Sequence, residues 1–160
     1  MLEKRNISSL TAVIFAALIL AGSVSAATVR RTATAATSLL QAVNQTRRAH
    51  GLRPLRLDGA LVRAARSHSA EMLRGNYFAH GDFHGRMVAF HVRGPVAGEN
   101  LAWGNGSYAR ATSIIREWLA SPEHRANLLR PMFRRVGIGE LTGVFLGHGG
   151  ATVVTADFAG

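Results

Sequence analysis

The period of the hydrophobic pattern changes once along this chain, at Pro131, and that change limits what the chain can build. Ahead of it, apolar residues recur at helical spacing: Leu39, Leu40 and Val43, then Leu61, Ala64, Ala65 and Met72, then Tyr108, Ala111, Ile115 and Trp118. Behind it, VGIGE, VFLGHG and ATVVTADFA read as short strands divided by glycine. Helices first and paired strands last predict an α+β domain, with helices stacked on an antiparallel sheet.

Boundary residues sharpen the helices. Thr37-Ser38 can cap the first, which Gly51 stops; Asp58 can cap the second, which Gly75-Asn76 closes. Ser107 reads as the cap of a third, and Ser121-Pro122 as the start of a fourth, with proline at its first helical position. Residues 75–106 hold seven glycines and three histidines with little periodicity, which predicts a long irregular region of the kind that carries function.

The N-terminus follows a different rule. Lys4 and Arg5, the apolar run TAVIFAALILAG and the small residues Val24-Ser25-Ala26 give the charged, apolar, small order of a signal peptide, residues 1–26. Residues 27–36 then read as a flexible leader, and 37–160 as one domain. The expected location is secreted, periplasmic or in the cell envelope, without a membrane span after cleavage. Cysteine is absent, so disulfide frameworks, thiolate zinc sites and cysteine nucleophiles are excluded. The formal charge is +10, and every basic residue except Lys4 is Arg. Such a balance attracts anionic envelope polymers, lipid headgroups or nucleic acid. The arginines form no dense run, and there is no specific nucleic-acid motif.

Histidine is the residue type to sort next. His68 lies on the apolar stripe of the second helix and is expected to be a packed, hydrogen-bonded core residue. His50 and His148 read as surface, and His91 has no partner pattern around it. His80, Glu99 and His124 lie beside turns or helix starts, where functional groups concentrate. Near a helix N-terminus the His124 imidazole is favoured in its neutral form. Trp103, Trp118 and Phe133 read as core.

Four segments in order, YFAH (77–80), GENLAWG (98–104), EWLASPEHRANLL (117–129) and FRRVGIG (133–139), resemble the CAP superfamily of cysteine-rich secretory, antigen 5 and pathogenesis-related 1 proteins, in its bacterial form. The opening NQTRRAHGLRPLRLD is similar as well. The resemblance implies a three-layer α-β-α sandwich with an antiparallel central sheet. It also implies a ligand-binding cleft of His80, Glu99 and His124, with Asn100, Arg125 and Asn127 recurring beside them. The family's second cleft glutamate is replaced here by Ser121. Two imidazoles and one carboxylate can hold a Zn²⁺ ion with a position open to water, so His80, His124 and Glu99 form a tentative metal set. Arg125 can instead pair with a loop carboxylate or a chain terminus. Three functions follow in rank: a binding module for an anionic cell-envelope component or lipid, a metal-assisted hydrolase using the same three residues, and a polyanion or nucleic-acid binder. The residues do not decide whether the chain is an enzyme.

Overall fold

The computed structural model describes residues 26–160, with side chains from residue 36 onward. Apart from Ala26, the expected signal segment lies outside the described residues. Helix α1 (Ala26–Ala49) runs through Thr37-Ser38 without stopping and takes in all of 27–36. The backbone expected to be a flexible leader is therefore helical. Its sequence, ATVRRTATAA, is rich in alanine, the strongest helix former, and has neither Gly nor Pro to break the helix.

After α1 come β1 (Arg56–Leu57), α2 (Gly59–Gly75), α3 (Phe83–Ala89) and β2 (Ala97–Gly104). A 3-10 turn (Gly106–Ala109), α4 (Ala111–Ala120), α5 (Pro122–Leu128), β3 (Arg135–Phe145) and β4 (His148–Ala159) follow. The ends of α2 are those expected. The Asp58 carboxylate accepts from the N–H groups of Ala60 and Leu61, and Asn76 closes the helix in the left-handed conformation. Ser107 does not cap α4; it lies in the 3-10 turn, and Tyr108 is exposed rather than inward. The irregular region resolves into α3 and β2, so Gly98-Glu99-Asn100 stands on a strand and not on a loop.

The sheet runs β1-β3-β4-β2. β3 and β4 form a hairpin through Leu146 and Gly147, both at positive φ, as a two-residue turn matched to the sheet's twist requires. β2 pairs antiparallel with β4, but β1 pairs parallel with β3, so the sheet is mixed rather than wholly antiparallel. Parallel pairing follows from the connection: the chain crosses back to β3 only after passing through α2 and most of the fold.

Alternation along β3 separates the two helical layers. Val136 and Ile138 pack into the core of Leu39, Val43, Ile114, Trp118, Leu128 and Phe133, the layer of α1, α4 and α5. Gly137 and Gly139 face α2. A Cβ on Gly137 would stand 2.0 Å from the Leu61 carbonyl carbon, and one on Gly139 2.4 Å from the Ala65 oxygen. The glycines of VGIG thus let α2 lie directly on the sheet. Buried Leu61, Ala64, Ala65, His68 and Met72 are the expected stripe of that helix. Among the described residues, Arg47 is the one large cation sealed in the interior: it donates to the carbonyls of Arg53, Leu128, Arg130 and Phe133, tying α1 to the end of α5.

Candidate ligand cleft

β2 is an edge strand, and its alternation divides the Gly98-Glu99-Asn100 triplet between the two layers. Glu99 points to the α2 side and Asn100 to the α5 side. Asn100 donates to the His124 carbonyl at 2.9 Å, and Asn127 donates to the Glu99 carbonyl (3.1 Å) and to Asn100 Oδ1 (3.2 Å). These amides fasten α5, and His124 with it, to the strand that carries Glu99. A Cβ on Gly98 would meet Asn127 Oδ1 at 2.7 Å, so glycine is what allows that approach. Asn100 and Asn127 thus hold α5 against β2. Arg125 is exposed and, among the described residues, makes neither of the pairings considered for it. It borders a shallow hollow with Leu119, Pro122 and Arg130.

His80 reaches the cleft from the other side. Its Nδ1–H donates to Glu99 Oε1 at 2.7 Å; the imidazole is 55% exposed and the carboxylate 2%. The segment leaving α2 is held by three contacts: the Tyr77 hydroxyl donates to Glu71 at 2.6 Å, Phe78 meets Phe145 edge to face, and His68 Nε2 donates to the Ala79 carbonyl at 2.9 Å. His68 is therefore the buried, hydrogen-bonded residue expected, and it also fixes the backbone next to His80. Its Nε2 lies 3.9 Å from Glu99 Oε2.

Two groups that sequence reasoning did not single out complete the cluster. Arg86 of α3 donates to Glu99 Oε2 and to the His80 carbonyl, with its guanidinium over the Phe83 ring. Asp157 of β4 pairs across the ladder with Glu99 and is fully buried, and neither of its carboxyl oxygens has a hydrogen-bond partner. Burial first, and the Glu99 charge second, hold its carboxyl well above the usual range. One signal for Asp157 was present in the sequence: a lone acid in the apolar run ATVVTADFA. Arg86 left none, because its partners lie 6 and 13 positions away on other elements.

His124 is half-buried, and its pKa is lowered by desolvation first and by the nearby His80 second. At neutral pH its ring is uncharged. Both oxygens of the Glu99 carboxylate are engaged, Oε1 by His80 and Oε2 by Arg86, and His80 lies near enough to His124 to lower its pKa. Such a set can orient a polar ligand and accept or donate protons. As placed, it does not fit a metal ion. The guanidinium takes the carboxylate edge a cation would use, and among the described residues no three His, Asp or Glu groups converge to hold one.

The comparisons with known proteins agree with this architecture. The family model for the cysteine-rich secretory protein family, CAP, matches residues 40–144, and the chain belongs to that family. It is 33% identical over 106 residues to YkwD, an uncharacterized protein of Bacillus subtilis, covering 63% of this chain and 40% of that protein. YlbC, an uncharacterized membrane protein of the same organism, matches at 33% over 106 residues, with 30% of its length covered. The chain therefore spans well under half of these curated relatives. Among solved structures, an extracellular SCP-domain protein from Bacillus anthracis superposes with a TM-score of 0.72 at 25% identity, covering 86% of this chain and 44% of that one. An outer surface protein from Borrelia burgdorferi shares the fold, with a TM-score of 0.68 at 18% identity over 79% of this chain and 92% of its own. These two relatives are extracellular or surface proteins. No described helix of the present chain is long and apolar enough to cross a membrane.

Proposed function

We propose that this chain is an extracellular binding module whose cleft of His80, Glu99 and His124 holds a polar group of an anionic cell-envelope component. The observation that carries this reading is the state of Glu99. A buried carboxylate already bonded by His80 and Arg86 is a fixed scaffold for the imidazoles, not a vacant ligand for a catalytic ion. The exposed His80 ring and the neutral His124 ring then offer nitrogen donors and acceptors to a bound molecule. The charge of +10 supports an anionic partner by raising its encounter rate.

The test is co-sedimentation of the protein with isolated peptidoglycan sacculi that retain their anionic polymers. The expected result is retention that falls at least several-fold in a His80→Ala, His124→Ala variant. Undiminished retention in that variant overturns the cleft reading. Release of soluble sugar or peptide fragments by the wild type would instead favour the hydrolase.

A further inference from the structure

The arginines that form no run in the sequence are gathered by the fold. A cavity of about 580 Å³ at the β1 edge is lined by Arg53, Pro54, Arg56, Leu57, Arg134 and Arg135. β1 and β3 are paired so that Arg56 stands directly beside Arg135. Like charges in register on neighbouring strands repel one another, and this arrangement costs stability unless an anion lies between them.

Little in the protein neutralises the group. Asp58 engages Arg135 at 2.9 Å. The second terminal nitrogen of Arg135 donates to the Arg93 carbonyl and to the Gly160 oxygen. Among the described residues, Arg134 donates only to carbonyls, those of Pro131 and Phe133, which fix its direction without cancelling its charge. The buried Arg47 guanidinium, its pKa lowered by burial first, also feels the Arg134 charge. Arg53 and Arg56 are exposed, and among the described residues their side chains have no acidic partner. Among the described residues, two guanidiniums are thus held in place and two are free to close, against one side-chain carboxylate.

We propose that this cavity is an oxyanion site that takes a phosphate-bearing group, separate from the His80–His124 cleft. Planar guanidinium forks match the oxygens of a phosphate two at a time, and the cavity has room for more than one phosphate. The assignment rests on the anionic-partner reading only for the biological source of the phosphate. The site itself can be tested apart from the cleft.

Inorganic pyrophosphate is the probe, titrated calorimetrically into the full chain at near-physiological salt. Saturable binding at one site is expected. An Arg53→Gln, Arg56→Gln variant should bind at least about tenfold more weakly, the loss of charge-assisted hydrogen bonds. Removing the same charge from the exposed face of α2, in Arg63→Gln, Arg66→Gln, should leave affinity within about twofold, a bound on screened long-range attraction. Circular dichroism confirms that both variants are folded. Equal loss in the two variants, or no saturable heat with the wild type, overturns the proposal. So does a short DNA duplex that binds tightly and loses affinity equally in both, since that describes a diffuse basic surface. If phosphatidic acid vesicles displace pyrophosphate, the source is a lipid headgroup; if they do not, it is a soluble or polymer-borne phosphate. Either result supports the site. Sacculus retention lost only in the His80, His124 variant, with pyrophosphate binding intact there, shows the two sites to be independent.

Discussion

Asp157 stands directly across the β2–β4 ladder from Glu99, and burial first and the Glu99 charge second push the Asp157 carboxyl well above the usual range. One guanidinium, Arg86, serves the pair. Two ionised carboxylates in that space would leave one uncompensated in the interior, which favours the protonated form of the one that Arg86 does not bond.

Replacing Asp157 by Asn tests this. The Asp157 pKa is higher in the folded protein than in the unfolded chain, so its penalty is absent below the unfolded value near 4. The penalty grows as pH rises toward the folded value. Asp157→Asn should therefore raise the melting temperature at pH 7, by about 2–5 °C, and change it little at pH 4. Thermal unfolding followed by circular dichroism at the two pH values gives the answer. A lower melting temperature at pH 7 contradicts a neutral Asp157.

His124 gives a titration of opposite sense. Its pKa is depressed by burial and by His80. Its contribution is intact above the ordinary histidine value near 6.5, and stability is lost as pH falls through the lower folded value. Imidazole resonances in an NMR titration should place His124 below 6.5. His80→Asn should move it upward without restoring it fully, because the larger cause is desolvation. An unmoved value would mean that the two rings do not sense each other.

Zinc provides a third check. Because Arg86 occupies the free edge of Glu99, an equimolar addition of Zn²⁺ should leave the melting temperature within about 1 °C. A cleft-bound ion would stabilise the folded state by mass action. A clear rise in the wild type that disappears in His124→Ala would restore a metal site at these residues.

The packing of α2 on the sheet predicts a contrast between two glycines. A methyl group at Gly137 would press on the Leu61 backbone at 2.0 Å, and main chain cannot swing aside as a flexible side chain does. Gly137→Ala should cost about 3 kcal/mol or more. Gly149 has nothing within 4 Å of the added carbon, and its substitution should be near neutral. Urea unfolding of the two variants measures the difference.

What could be read from the sequence follows from how each feature is encoded. The stripe ending at Met72 and the Asp58 and Asn76 caps are local signals, and they appear in the structure where they were expected. β2 was not legible, because AGENLAWG carries glycines, an acid and an amide that weaken any strand pattern. β1 has two residues and α3 seven, too few to show a period. Trp103 read as core yet is only half-buried: it meets Phe145 edge to face and lies beside His148 at the rim of the sheet. His80 and Glu99 could be paired only through the family resemblance. Their hydrogen bond crosses 19 positions, and no local rule joins them.

β4 lies between β3 and β2 in the sheet, and among the described residues β2's only strand partner is β4. While the chain is being made, everything up to Phe145 can emerge and still leave Glu99 on an unpaired strand, with no Asp157 beside it. The helices and β3 can gather early, but the surroundings of Glu99 are completed only by β4, the last of these four strands to appear. Until then β2 is an open edge in a partly built protein, the kind of exposed backbone on which chains stick to one another. A ribosome stalled before His148 would therefore display an aggregation-prone intermediate, and damage to β4 should appear as low yield before it appears as lost binding.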